Sequence, residues 1–228
     1  MNNRVQRLSL NQRIQHIVLL TSMIILLLTG LVLKFHNNVF SIWLIKREGG
    51  VWVRGLIHRT FAIVLILLAV YHIVWVTFTD EGHRELMAIT PGRRDFSDFF
   101  QKLAYNLGLS DNLPRFEKYD YLQKFQYWGV VAGTIVMILT GLILWFVNQS
   151  MAVLPKWIID LTLIIHGWDG VLIFIVLFLF HMYNVHLNPE VFPMSKTWLD
   201  GKISIERLKQ DHLLEYERLI SEKKDGKN

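Results

Sequence analysis

The chain has 228 residues, 52% of them apolar, with a mean hydropathy of +0.32, a balance few soluble domains of this size carry. Its formal charge of +5 does not imply a nucleic-acid partner, because 18 of the 24 Lys and Arg residues fall on one side of four apolar runs, the asymmetry of a membrane topology. There are no cysteines, which excludes disulfides, thiolate zinc sites, iron–sulfur clusters ligated by this chain and cofactor attachment through CxxCH.

The apolar runs cover about residues 17–35, 56–78, 125–147 and 157–185. Each reaches or exceeds the roughly 20 residues a helix needs to cross a bilayer core. The first is too long for a secretory signal and lacks a small-residue cleavage site. Only helices or closed barrels satisfy their backbone in lipid, so the expected fold is all-α and integral to the membrane, a four-helix transmembrane bundle over 1–200. The basic side carries both termini and the 79–124 loop, which predicts cytoplasmic ends and, in a bacterium, the inner membrane. After the first span, "VFSIWLIKREGGVWV" (39–53) reads as an outer interfacial segment with Trp43 and Trp52 as headgroup anchors. In the 79–124 loop, Phe96, Phe99, Phe100, Leu103 and Leu107 recur at helical spacing and predict an amphipathic helix on the membrane surface or against a partner. Pro189 and Pro193 end the fourth span, and 201–228 reads as a polar cytoplasmic tail with a helix.

An internal repeat organises the spans. "QRIQHIVLLTSMIILLLTGL" (12–31) aligns without gaps on "QKFQYWGVVAGTIVMILTGL" (123–142), sharing Q-[RK]-x-Q and L-T-G-L at matched positions. His58 and His72 in the second span answer His166 and His181 in the fourth. Two duplicated helical hairpins follow, related by an approximate two-fold axis along the membrane normal.

At about 1.5 Å and 100° per residue, His58 and His72 lie roughly 21 Å apart and about 40° around their helix. His166 and His181 lie roughly 22 Å apart and about 60° around theirs. Each helix therefore carries one imidazole near each side of the membrane, and His16 starts the first span at the level of His72 and His181. Ionisable groups inside spans are costly and mark function. A proton relay would want buried carboxylates beside the histidines, yet the only span carboxylates, Asp160 and Asp169, sit near the outer edge. A zinc site would gather its ligands at one level. Facing histidines at equal depth suit a six-coordinate haem iron instead, and Gly30, Gly55, Gly133, Gly141, Gly167 and Gly170 would let a flat macrocycle approach the backbone. Two haem b groups are expected, with His58 paired to His166 and His181 faced by either His16 or His72.

The stretches "RIQHIVLLTSMIILLLTGL", "RGLIHRTFAIVL", "KYDYLQKFQYWGVVAGTIVMILTGLILW" and "IHGWDGVLIFIVLFLFHMY" resemble the cytochrome b (gamma) subunit of respiratory formate dehydrogenases, nickel–iron hydrogenases and thiosulfate reductases. The likeness runs over about residues 8–220, and "HMYNVHLNPEVFPMS" with "WLDGKIS" resembles the variant that accompanies multihaem c-type cytochromes. The resemblance implies haem-iron ligands His16 and His181 on the cytoplasmic side and His58 and His166 on the periplasmic side. It has no counterpart for His72, which is a hydrogen-bonding bystander, a replacement for His16, or a partner of His186 around an extra haem. His36, His83 and His212 read as solvated surface residues.

The resemblance also implies a quinone (menaquinone or ubiquinone) beside the cytoplasmic-side haem, near the start of the third span. Asp120 falls on a polar quinone contact there, and Tyr119 and Gln123 add donors. Tyr127 takes the repeat position of His16. Arg13 and Lys124 on one side, and Arg54 and Arg59 on the other, are candidate haem-propionate partners. The expected protein is a membrane-anchoring electron-transfer subunit in a hetero-oligomer. It joins a periplasmic redox subunit, an iron–sulfur protein or a multihaem c-type cytochrome, to the quinone pool. A stand-alone transmembrane reductase and a non-redox scaffold are the rival readings.

Overall fold

The computed structural model describes residues 4–189 and 191–225. A short strand β1 (Arg4–Gln6) precedes the first span, α1 (Leu10–Lys34). Then come α2 (Val39–Arg47), α3 (Val51–Phe78), α4 (Asp80–Ile89), α5 (Arg93–Asn106), α6 (Tyr121–Trp145), α7 (Val147–Val153) and α8 (Lys156–Leu187). The C-terminal part holds α9 (Thr197–Asp200), β2 (Lys202–Ser204), α10 (Ile205–Asp211) and α11 (Leu213–Asp225). Helices α1, α3, α6 and α8 are the four that are long and apolar enough to cross a membrane.

Local chemistry explains the breaks. Asn38 caps α2 by accepting the Phe40 amide at 2.9 Å. Glu48 ends α2, and Gly49 and Gly50 follow with φ of +99° and +98°, a left-handed pair that side chains resist. Thr79 caps α4 through the Gly82 amide at 3.0 Å, with Asp80 and Glu81 favourably placed in the first turn. Gly82 is obligatory there, because a Cβ would overlap the backbone carbonyl of Trp75. Helices α4 and α7, which carry too few apolar positions to stand out in the sequence, replace what reads as loop.

From Val176 to Leu187 the turns of α8 are π-helical. The interval from His166 to His181 is one residue longer than that from His58 to His72, and a wider i→i+5 turn takes up extra residues without breaking the rod. The same turns also reposition His186 relative to a regular α-helix. An α-helix would put it about 140° from His181, whereas five residues of π-helix return it toward the same face.

The chain divides into two compact units. One comprises Asn11–His72 and Val130–Ser195 and holds most of the four spans. Its burial is inverted relative to a water-soluble core. Ser22, Thr29, Thr140 and Thr162 are buried, while Leu67, Leu139, Leu163 and Phe180 are exposed. Small polar residues between helices and aliphatic residues outward are what lipid requires.

The other unit gathers 73–129 with the described residues up to Leu10 and from Lys196 onward. There β1 pairs antiparallel with β2, Val5 opposite Ile203, and Arg7 reaches into a polar network. Arg7 pairs with Glu215 at 2.8 Å and donates to the carbonyl of Lys118. The Glu117 carbonyl can only accept, so His212 donates from Nδ1 at 2.7 Å and accepts the Arg7 guanidinium on Nε2 at 3.0 Å. Burial first, and then Arg7, push the His212 pKa down to about 4. His212, expected on the surface, is 5% exposed, because its two ring nitrogens join the N-terminal strand, the 79–124 segment and the tail. His36 and His83 are exposed.

Candidate functional site

Helices α1 and α3 meet along an antiparallel seam with seven-residue spacing, about two turns per step. Gln15, Ser22 and Thr29 occupy one edge, all buried. His72, Leu65 and His58 occupy the other in reverse order. At the ends of this seam the His72 Nδ1 lies 2.7 Å from Gln15 Oε1, and the His58 Nδ1 lies 2.8 Å from Thr29 Oγ1. Helices α6 and α8 repeat the device, with His166 Nδ1 2.8 Å from Thr140 Oγ1. Each threonine belongs to the repeated L-T-G-L, and its glycine neighbour makes room for the ring. A Cβ at Gly30 would stand 3.3 Å from His58 Cε1, and one at Gly141 would stand 3.2 Å from His166 Cε1.

The threonines also determine which ring nitrogen carries the proton. Thr29 Oγ1 donates to the Ile25 carbonyl at 2.7 Å and Thr140 Oγ1 to the Val136 carbonyl at 2.6 Å. A hydroxyl has one proton to give, so each must accept from its histidine. His58 and His166 are therefore protonated on Nδ1, leaving the Nε2 lone pair for a metal, the orientation that a carbonyl or carboxylate commonly enforces on ligating histidines.

Across the two hairpins the rings face each other in pairs. The ring centres of His58 and His166 are 6.4 Å apart, and those of His16 and His181 are 6.3 Å apart. Two metal–imidazole bonds of about 2 Å each, plus about 1 Å from each nitrogen to its ring centre, put such centres about 6 Å apart around one metal. Among the described residues no group of three or more His, Cys, Asp or Glu side chains is arranged to hold a metal ion. Each level offers two imidazoles, a donor set that suits a metal whose remaining ligands come with its own macrocycle, as the four nitrogens of a porphyrin do. Between His58 and His166 opens a cavity of about 630 Å³, within the range of about 300–1,000 Å³ of cofactor pockets. Leu27, Leu65, Met137 and Ile173 give it apolar walls, and Gly55, Gly167 and Gly170 line it as well.

The other residues singled out in the sequence fall as follows. His72 meets Gln15 on α1, and His186 lies on the π-helical turn after His181. Arg13 is half-buried one turn before His16. Arg54 is fully buried, donating to the carbonyls of Leu28 and Thr29 at 3.1 Å and pairing with Glu48, so its charge serves the α1–α3 seam. Arg59 lines the cavity. In the other unit, Lys124 pairs with Asp95 at 2.9 Å. Asp120 and Gln123 form a capping box for α6, with the Gln123 amide on Asp120 Oδ1 at 2.7 Å and the Asp120 amide on Gln123 Oε1 at 3.2 Å. Burial raises the Asp120 pKa. Tyr119 donates to Glu85 Oε2 at 2.8 Å, and burial, then that carboxylate, raise its pKa. Tyr127 is half-buried, edge-on to Trp128. Glu85, Thr29 and Thr140 were missed as site residues, although the repeated Thr-Gly was visible in the sequence.

A family model described as prokaryotic cytochrome b561 matches residues 7–192, a stretch that includes all four spans and both facing histidine pairs. The chain belongs to the prokaryotic cytochrome b561 family. As a member it is a membrane b-type cytochrome in electron transfer, and the cofactor of that family is haem b. Comparison with curated proteins found no match. The residues of this b561 protein fit the group on their own chemistry. Nδ1-protonated imidazoles face across a one-atom gap, glycines sit against the rings and a cavity with apolar walls lies between them.

Proposed function

We propose that this cytochrome is a dihaem, quinone-linked membrane subunit of a respiratory oxidoreductase. It would serve a complex of the formate dehydrogenase, nickel–iron hydrogenase or thiosulfate reductase kind, in a bacterial inner membrane with both termini cytoplasmic. The observation that carries this reading is the pair of ring-centre separations, 6.4 and 6.3 Å, repeated at two levels of one bundle. His58 and His166 would hold one haem and His16 and His181 the other. The distribution of Lys and Arg supports the orientation.

Bound haem supplies one-electron chemistry between ferric and ferrous iron. The chain supplies the rest. Thr29 and Thr140 hold the imidazole tautomer, the apolar helix walls keep water from the electron path, and two levels of ligands carry that path through the bilayer. Electrons would pass between a periplasmic redox partner, an iron–sulfur protein or a multihaem c-type cytochrome, and a quinone at the cytoplasmic side. Each quinone takes two electrons and two protons. The Tyr119–Glu85 pair is the proton-exchanging contact this geometry favours, since Asp120 and Gln123 are engaged in capping α6. His72 is assigned to positioning Gln15, and no haem is assigned to His186.

The test is a pyridine haemochrome count on purified protein and on single His→Ala variants. Two haem b per chain are expected in the parent. The count should fall to one in H58A, H166A, H16A and H181A, and stay at two in H72A and H186A. Loss of a haem in H72A with retention in H16A would overturn the ligand assignment, and a colourless parent would overturn the function.

A further inference from the structure

The cavity between His58 and His166 has a lopsided charge. Lys34 and Arg59 both line it, and among the described residues no carboxylate does. Neither cation has a carboxylate of its own among the described residues, in contrast to Arg54 with Glu48, Lys124 with Asp95 and Lys156 with Asp160. Instead each rests on a tryptophan. The Lys34 ammonium is 4.2 Å from the ring centre of Trp168, and the Arg59 guanidinium carbon is 5.4 Å from that of Trp145. Cation–π contact holds such a group in place without cancelling its charge.

Both cations are registered to the iron ligands. Arg59 follows His58 directly in the chain. Lys34 lies against the residue after His166, where a Cβ on Gly167 would stand 2.9 Å from its Nζ. The absent side chain leaves the ammonium its seat. Lys34 is half-buried and Arg59 exposed, so both heads stay within reach of a ligand entering the cavity, and two cations without carboxylates of their own match one that brings two anionic groups.

We propose that Lys34 and Arg59 form the carboxylate clamp of this cavity, each taking one propionate of the haem held by His58 and His166. The clamp rests on the reading that those histidines bind haem. With two propionates, ferrous haem b carries two negative charges and ferric haem one, so two nearby cations favour the reduced form. Anionic oxygen is the chemistry recognised, and a lipid phosphate at the membrane surface is the competing source.

Redox titration of the purified holoprotein followed by visible absorption separates the alternatives. The wave of this haem is the one missing in H58A. Lys34→Gln and Arg59→Gln should each move that wave to lower potential, leave the other wave in place and retain two haems by pyridine haemochrome. Lys34→Arg should restore most of the shift. Gly167→Ala, which crowds the ammonium while keeping its charge, should move the wave in the same direction as Lys34→Gln. Waves that stay put in both single variants with full haem content would overturn the clamp and leave the cations to lipid phosphate. A parent protein without haem b, or an H58A protein that keeps both waves, would instead defeat the haem reading beneath it.

Discussion

Thr29 and Thr140 each own one hydroxyl proton, and each spends it on the carbonyl four residues earlier. That local bond, ordinary for threonine in an apolar helix, turns the oxygen into an acceptor and aims the imidazole opposite. Losing such a supporting group commonly costs about 10- to 100-fold in metal affinity. Thr29→Val keeps the shape and removes the acceptor, so His58, if it holds haem as proposed, would lose the hydrogen bond that makes its ring a stronger donor to ferric iron. The expected result is a weaker hold on haem at that level and a midpoint potential shifted upward, read by redox titration. Thr140→Val should act in the same direction through His166. The histidines and the Thr-Gly pairs are all plain in the sequence. Their partnership is not, because Thr29 and His58 sit on different helices and only the seam register brings them to 2.8 Å.

At the scale of elements, the four spans were legible because twenty or more apolar residues in a row have few alternatives in lipid. The repeat pointed further, to two hairpins built alike, and the matched Thr–His contacts on α1–α3 and α6–α8 are the structural form of that repeat. The π-helical stretch of α8 was not legible, since one extra residue between His166 and His181 can be absorbed by a turn or by a rotation, and packing chooses. The start of α6 offers a test of role. If Asp120 serves as the N-cap, Asp120→Ala should destabilise the protein by about 1 kcal/mol, measured by thermal melting in detergent. Asp120→Asn, an equally good cap, should change little. Equal loss of quinone reduction in both variants with unaltered stability would instead point to proton transfer by the carboxyl.

For the whole molecule, the N-terminal strand and the tail belong to one compact unit although about 200 residues of chain separate them. The Arg7–His212–Glu215 network ties that unit together and makes it sensitive to acid. His212 titrates near 4 when folded and near 6.5 when unfolded. Between those values the unfolded chain binds the extra proton, so stability rises with pH there. The contribution is complete above about pH 6.5 and is lost as pH falls toward 4. The hydrogen-exchange protection factors of α10 and α11, taken relative to the intrinsic rate at each pH, should therefore fall between pH 7 and pH 5, and His212→Gln should flatten that dependence.

Span number and the tiers of histidine follow from the order of residues alone, because length, hydropathy and helical pitch are local properties that the surrounding lipid only enforces. Which histidine faces which, which nitrogen is left for a metal and which arginine is already neutralised depend on register between helices. A shift of one residue turns a side chain by about 100°. That choice belongs to packing across the bundle, where His16 rather than His72 lies opposite His181 and Glu48 takes up the charge of Arg54.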